Sequence, residues 1–340
     1  MPRKINKEIS KNKKYVKRLS SDAIVTVIPE NNGQPKVIYR LAGDSYLLVE
    51  YGEMILDLNL RFRIHWLEQN IRNRQIEGVL ETVPGVRSLL IKYNGIRLPL
   101  KKLIIILREI EERMPLIQEE SVPSRMIYLP FAFHDKWTKE AMAIYARTVR
   151  AEAPYLPDNV KFVARCNGFE DVEKVNAYLQ ASYHLVIGLG DVYLGAPCAV
   201  PLDPRYRIVV PKYNPARMFT PEGAIGIGGA YICIYPMESP GGYQLVGRTL
   251  PIWNTWQTSK YFKEAPWLLR FFDRIKFESI SENELSRIRE AMLNGEYELR
   301  IENGMFSINE YNRYLETIKD EAERFKIQQK ESAACWTIGY

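Results

Sequence analysis

Between residues 188 and 247 this chain of 340 residues places ten of its twenty glycines and eight of its twenty prolines. Glycine opens the positive-φ region and lets backbones approach closely, whereas proline fixes φ and removes a hydrogen-bond donor. So dense a mixture cannot continue a helix. It dictates short strands joined by shaped loops, and loops held on a rigid scaffold are where function concentrates. The segments HLVIGLG, RIVVP, AYICIYP and YQLVGRTLPIW read as those strands, and their closely spaced turn signals predict a barrel or sandwich.

The flanks have ordinary periodicity. VIYRLAGDSYLLVEYG predicts a hairpin around Gly43-Asp44. LNLRFRIHWLEQNIRNRQ follows, with Leu60, Ile64, Leu67 and Ile71 at helical spacing and His65 off that stripe, as a surface histidine. Strands are predicted over 78–83 and 86–93. Pro99 then opens a helix with Leu100, Leu103, Leu107, Ile110 and Met114 on one face. That order predicts a small α+β domain with helices on one face of an antiparallel sheet. A strand over 124–133 precedes helices over 136–151, 157–166 and 170–182. After Trp256 the chain offers a strand in PWLLRFFDRIKFESI, capping boxes at Ser281 to Glu284 and Ser307 to Glu310, and a hairpin around Asn303-Gly304. One long last helix is expected to carry Tyr311, Leu315, Ile318, Ala322 and Phe325. The expected organisation is α+β: a basic lead-in over 1–35, an N-terminal α+β subdomain over 36–120, a β-barrel subdomain over 121–258, an α+β C-terminal extension over 259–330 and a tail over 331–340.

Composition excludes several classes. With 46% hydrophobic and 26% charged residues the chain is globular, and it has no run of about 18 apolar residues that would cross a membrane. No apolar segment of signal-peptide type opens it, and Cys166, Cys198, Cys233 and Cys335 lack C-x-x-C spacing. Both features predict a reduced, cytoplasmic protein without zinc or disulfides. The first twenty residues hold eight Lys/Arg and one Glu. They read as a solvated arm or linker in preference to a nucleic-acid contact, because little positive charge remains elsewhere.

The glycines of the window invite a nucleotide reading that their context denies. GIGGA leads into a strand and GLGDVYLG lacks the Lys-Ser/Thr of a P-loop, so neither offers the helix N-terminus that holds a pyrophosphate. His65, His134 and His184 lie in different predicted elements, no G-x-S-x-G or H-E-x-x-H is present, and His184 reads as a satisfied, partly buried strand residue. What the window does contain is a set of polar residues: Asp191, Asp203, Arg205, Arg207, Lys212, Asn214, Arg217, Glu238, Gln244 and Arg248. Fixed donors in rigid loops suit an anion or a developing oxyanion, and equally suit tying loop carbonyls together. Spacing leaves both readings open.

The phrases AGDSYLLVEYG, VPGVRSLLIKY, LVIGLGDVYLGAP, PLDPRYR, KYNPAR, GIGGAYICIYPMESPGGYQLVGRT and PWLLRFFDRI resemble subdomains C and D of the carboxyltransferase domain of urea carboxylase, a module also called allophanate hydrolase subunit 1 or the KipI family. The resemblance runs from about Val37 to about Gln328, and GLGDVYLGAP, KYNPAR and the segment after Trp256 are similar to the urea carboxylase branch. It implies that the barrel is cyclophilin-like. It also implies a half of a biotin-dependent carboxyltransferase, moving a carboxyl group from carboxybiotin to urea or a related amide or guanidine. Residues expected from the matching motifs are Lys212, Asn214, Arg217, Gln244 and Arg248 as donors, and Asp191 and Asp203 as orienting groups or bases. Gly228, Gly229, Gly241, Gly242 and Tyr243 are expected against the cofactor. The chain shows no ATP-grasp-sized region and no M-K-M biotinylation phrase. Partners are therefore expected to supply the missing parts: a chain with carboxyltransferase subdomains A and B (like allophanate hydrolase subunit 2), an ATP-using biotin carboxylase, and a biotin carrier. The chain alone is expected to be inactive. Two alternatives stay open, a subunit of an ATP-dependent 5-oxoprolinase and a kinase-inhibiting binding protein.

Overall fold

The structure, a computed structural model, describes residues 23–31, 33–114, 121–190 and 193–334. The chain divides into two compact units, Met1–Glu120 and Ser121–Tyr340.

In the first unit five strands form an antiparallel sheet: β1 (Ile24–Ile28), β2 (Val37–Leu41), β3 (Tyr46–Tyr51), β4 (Val79–Pro84) and β5 (Ser88–Tyr93), in the order β1-β2-β3-β5-β4. The period of two decides which face is covered. Leu47, Val49 and Tyr51 of β3 and Leu89, Ile91 and Tyr93 of β5 are buried, and the register sets Leu47 opposite Ile91 and Val49 opposite Leu89. Helices α1 (Leu58–Asn73) and α2 (Leu100–Arg113) cover that face with Leu60, Ile64, Leu67 and Ile71, and with Leu103, Leu107 and Ile110. The stripes read from sequence thus make the core. Gly43, with φ of +100°, turns the β2–β3 hairpin. The expected lead-in needs correction: its last third forms β1, whose β-branched Ile24, Val25, Val27 and Ile28 suit an edge strand better than a linker. The basic arm over 1–22 lies outside the described residues.

This unit also buries charge. Arg63 and Glu111 pair at 2.5 Å with almost no exposure, and the Tyr51 hydroxyl donates to the same carboxylate. Burial pushes the Glu111 pKa up despite these two partners. His65 is half-buried, not a surface residue; burial, and then Arg61 and Arg72, push its pKa down to about 4.

The second unit is built on β6 (Ser121–Phe133), β7 (His184–Leu189), β8 (Pro197–Pro201), β9 (Ala224–Gly228), β10 (Tyr231–Ile234), β11 (Gln244–Thr249), β12 (Arg274–Ser279) and β13 (Ile301–Ser307). Hydrogen bonds run from β6 through β12, β7, β8, β10, β9 and β11 back to β6, so seven strands close a barrel and β13 extends β6 outside the ring. Leu129, Val186, Ala199, Ile227, Ile232, Val246 and Ile275, one from each ring strand, belong to one buried cluster. Helices α3 (Lys136–Thr148), α4 (Asn159–Cys166), α5 (Glu173–Ala181), α6 (Glu282–Leu293), α7 (Ile308–Thr317) and α8 (Lys319–Ala334) surround it. Asp135 and Asp158 cap α3 and α4 by accepting backbone N–H bonds, and Ser281 and Ser307 cap α6 and α7 as their capping boxes predict. Among the described residues no helix is long and apolar enough to cross a membrane.

The C-terminal segment is continuous with the barrel. Strand β12 lies between β7 and β6 in the ring, and Leu285, Met292 and Phe325 join the barrel's core cluster. Several local readings are overturned. Asn303 and Gly304 do not turn a hairpin but run inside β13, opposite Arg125 and Ser124, because the long pairing with β6 outweighs a two-residue turn signal. RIVVP makes only a bridge from Val210 to Gly229, and in PWLLRFFDRIKFESI only Arg274–Ser279 is a strand. The last helix is broken at Ile318.

Candidate functional site

The loop Lys212–Arg217 is anchored from behind and open in front. The Tyr145 hydroxyl donates to the Pro215 carbonyl at 2.9 Å, and the Tyr155 hydroxyl donates to the Asn214 carbonyl at 3.2 Å. Arg150 gives the Asn214 carbonyl a second donor at 2.9 Å. Tyr213 is buried between the two tyrosine rings, 4.0 Å from that of Tyr155 and 4.8 Å from that of Tyr145. Its hydroxyl meets the amide of Asn159, which also accepts from the Leu245 N–H on β11. The loop therefore turns its carbonyls and Tyr213 inward. The side chains of Lys212 and Asn214 are exposed, and the Lys212 ammonium stands 4.6 Å from the centre of the Tyr243 ring. Burial raises the pKa of Tyr213, and burial followed by the Tyr155 contact raises that of Tyr145, so both hydroxyls stay protonated as donors.

Arg217 and Gln244 belong to the supporting layer. Arg217 is 1% exposed; its guanidinium donates to the Tyr243 carbonyl at 2.6 Å and to Thr220, and stacks over Tyr213 at 4.3 Å. Its main chain pairs with Gly241 in both directions. Gln244 is fully buried on β11 and donates to the Pro211 carbonyl, just ahead of Lys212. Its Oε1 has no hydrogen-bond partner among the described residues. Two of the sequence-predicted donors thus hold the loop and Tyr243, while Lys212 and Asn214 face outward.

Glycine explains the tight fit beneath them. A Cβ on Gly228 would lie 2.5 Å from the Tyr243 ring, and one on Gly241 would collide with the Tyr235 hydroxyl. These two glycines make room for tyrosines. Gly229 has φ of +60° at the β9–β10 turn, and a Cβ on Gly242 would make only ordinary contacts, no nearer than 3.8 Å to any neighbour. Gly229 and Gly242 are half-buried, and the Gly242 carbonyl accepts from the Tyr213 N–H.

The other predicted residues lie elsewhere. Arg248 donates to the Glu222 carbonyl at 2.7 Å and stacks over Trp137 at 4.7 Å; burial, and then Arg289, push its pKa down. Arg248 and Arg289 converge on the Glu222 carboxylate and so tie α6 to the barrel. Asp203 accepts from Arg205 at 2.7 Å and from the Tyr314 hydroxyl at 2.7 Å. Burial works against its charge, but these bonds hold its pKa below the ordinary carboxylate range. It lines a separate cleft of about 340 Å³ with Tyr183, Arg274, Tyr311 and Tyr314. Asp191 lies outside the described residues. Sequence reasoning passed over Tyr145, Tyr155 and Asn159, which precede the Gly/Pro window and carry no motif. Their only local signal is polar-tipped residues at buried positions. Among the described residues no group of three or more His, Cys, Asp or Glu side chains is placed to hold a metal ion.

Comparison with known proteins agrees with this architecture. Residues 37–262 match the family model for the carboxyltransferase domain, subdomain C and D. The chain is 44% identical over 312 residues to a urea amidolyase of Lachancea kluyveri, covering 91% of this chain but 17% of that protein. It superposes with a TM-score of 0.84 and 40% identity on the crystal structure of the Kluyveromyces lactis urea carboxylase, covering 92% of this chain and 28% of that one. A 5-oxoprolinase subunit of Bacillus subtilis is 26% identical over 263 residues, or 73% of this chain and 95% of that protein. The chain thus spans about a sixth of the urea amidolyase it matches. The matched model covers β2 to β5 of the first unit's sheet and β6 to β11 of the barrel, including the Lys212–Arg217 loop and Tyr243, and the chain belongs to the family of carboxyltransferase subdomains C and D.

Proposed function

We propose that this chain supplies half of the carboxyltransferase site of a biotin-dependent urea carboxylase-type enzyme, with urea or a related amide or guanidine as acceptor. The observation that carries the reading is the pair of outward donors, Lys212 and Asn214, on a family-matched loop that buried groups hold from behind. A ureido or amide carbonyl oxygen accepts from an ammonium and a carboxamide. A loop backbone held from behind limits how far those donors must move as charge develops on that oxygen. The ureido ring of biotin carries a carbonyl oxygen that the exposed Lys212 ammonium can meet, so the residues present fit that group. Biotin, carboxylated on a partner carrier at the expense of ATP on a partner carboxylase, supplies an activated carboxyl group. Lys212 and Asn214 orient the acceptor, and Arg217 and Gln244 keep Tyr243 and the loop in register. Asp203, held by Arg205 and Tyr314 in the separate cleft, takes no part in this arrangement. Asp191 is the proposed proton acceptor, on its place in GLGDVYLGAP.

A chain bearing carboxyltransferase subdomains A and B is the proposed partner for the rest of the site. The 44% identity to a urea amidolyase, against 26% to a 5-oxoprolinase subunit, favours carboxyl transfer over cyclic amide hydrolysis. The test is reconstitution with carboxylase, carrier and the complementary subunit. Lys212→Ala and Asn214→Ala should each lower urea- or guanidine-dependent turnover roughly a hundredfold, the scale of losing one oxyanion donor. Carboxylation of the carrier, which does not use this chain, should continue. Unchanged turnover in both variants would remove the two residues from the site.

A further inference from the structure

Asn214 and Pro215 present two consecutive carbonyls to the protein interior, and both are taken by tyrosine hydroxyls from outside the Gly/Pro window. Tyr145 comes from α3, and Tyr155 from the connection between α3 and α4. Neither ring is more than 1% exposed, and the two hydroxyls lie 3.0 Å apart. Tyr155 also accepts from the Asn214 N–H at 3.3 Å, so a single hydroxyl brackets both backbone groups of that residue. A buried hydroxyl needs a partner, and here the two hydroxyls and Arg150 between them serve the two carbonyls.

We propose that Tyr145 and Tyr155 are positioning residues for the transfer reaction, fixing the direction in which the Asn214 amide and the Lys212 ammonium leave the surface. The inference rests on the carboxyl-transfer reading above. Replacing either tyrosine with phenylalanine keeps the ring and its stacking on Tyr213 and removes only the hydroxyl. The loop then loses one of its rearward bonds, while Arg150 and the other tyrosine keep theirs and the core keeps its volume.

The experiment is a double-mutant cycle in the reconstituted enzyme, with Tyr155→Phe, Asn214→Ala and both together, and thermal melts alongside. Tyr155→Phe is expected to lower kcat about ten- to a hundredfold with a smaller change in KM, the scale of misplacing a reacting group by about 1 Å. Asn214→Ala, costing roughly a hundredfold in the native background, should cost only a few-fold in Tyr155→Phe, because a misdirected amide has little left to lose. Tyr145→Phe should repeat the pattern and carries the test if Tyr155→Phe fails to fold. Costs that multiply independently, or a loss of kcat that follows melting temperature alone, would overturn the positioning role and leave the carboxyl-transfer reading standing. No effect of Asn214→Ala in the native background would remove the site reading itself, and the inference with it.

Discussion

His184 gives the sharpest test of the physical picture. It opens β7, is fully buried, and packs edge-on against Phe277 with ring centroids 5.2 Å apart. Neither ring nitrogen has a hydrogen-bond partner of normal geometry among the described residues. Burial pushes its pKa down from 6.5 to about 3. A histidine in the unfolded chain binds a proton near 6.5, so the unfolded state holds more protons than the folded state between about pH 3 and 6.5. Stability is therefore intact above 6.5 and drains away as pH falls through that window. By linkage the loss is about 2 kcal/mol at pH 5 and approaches roughly 5 kcal/mol near pH 3. His184→Leu keeps similar volume, removes a buried imidazole, and abolishes this titration. Urea denaturation at pH 7 and pH 5 measures the effect. At pH 7 the variant should be as stable as the native chain or more so, by up to about 2 kcal/mol. Between pH 7 and 5 the native chain should lose about 2 kcal/mol more than the variant. Parallel pH profiles for the two proteins would refute the reasoning, since they would mean that His184 titrates in the fold near its ordinary value.

Three further outcomes follow from packing and charge. Gly228→Ala and Gly241→Ala should destabilise the chain by about 1–3 kcal/mol through forced displacement of Tyr243 and Tyr235, whereas Gly242→Ala should melt close to the native temperature. Arg63→Met should cost roughly 3–5 kcal/mol in chemical denaturation by stranding Glu111, and the double variant Arg63→Met/Glu111→Leu should recover most of it. Ser281→Ala should cost about 1 kcal/mol, read from the denaturation midpoint, because it removes the N-cap of α6.

Legibility in the sequence followed the range of the signals. The hairpin at Gly43, the stripe on α1, the Pro99 start of α2 and the two serine caps depend on residues within one turn or one strand, and the sequence displays them directly. Strand β8 is bounded by Pro197 and Pro201, and β9 contains Gly226 and Gly228, so both look like loop until their barrel neighbours are known. Asn303-Gly304 shows the converse: a strong local turn signal lost to a seven-residue pairing with β6. The Gly/Pro window announced a loop-built surface, but not which side chains would face out. An arginine or glutamine in a motif reads the same whether it meets a substrate or a carbonyl. Only three-dimensional neighbours separate Arg217 and Gln244 from Lys212 and Asn214. Gly228 and Gly241, expected against the cofactor, are positions where an added Cβ would meet a tyrosine side chain, a neighbour the sequence does not display.

The place of β12 in the ring carries a consequence for how this chain is made. Met126 of β6 waits for Arg274 of β12, a partner about 150 residues downstream. At 5–20 residues per second, a ribosome needs roughly 8–30 s to deliver that strand. Until it arrives, β6, and β7 once it has been made, each lack that neighbour along an apolar edge, the geometry that recruits other chains. The matched family segment ends at residue 262, ahead of β12, so a fragment cut to that segment would leave the nascent gap permanently open. Synthesis of this chain should accordingly depend on chaperones until β12 emerges, and its yield should fall when translation is slowed, even where the stability of the finished barrel is unchanged.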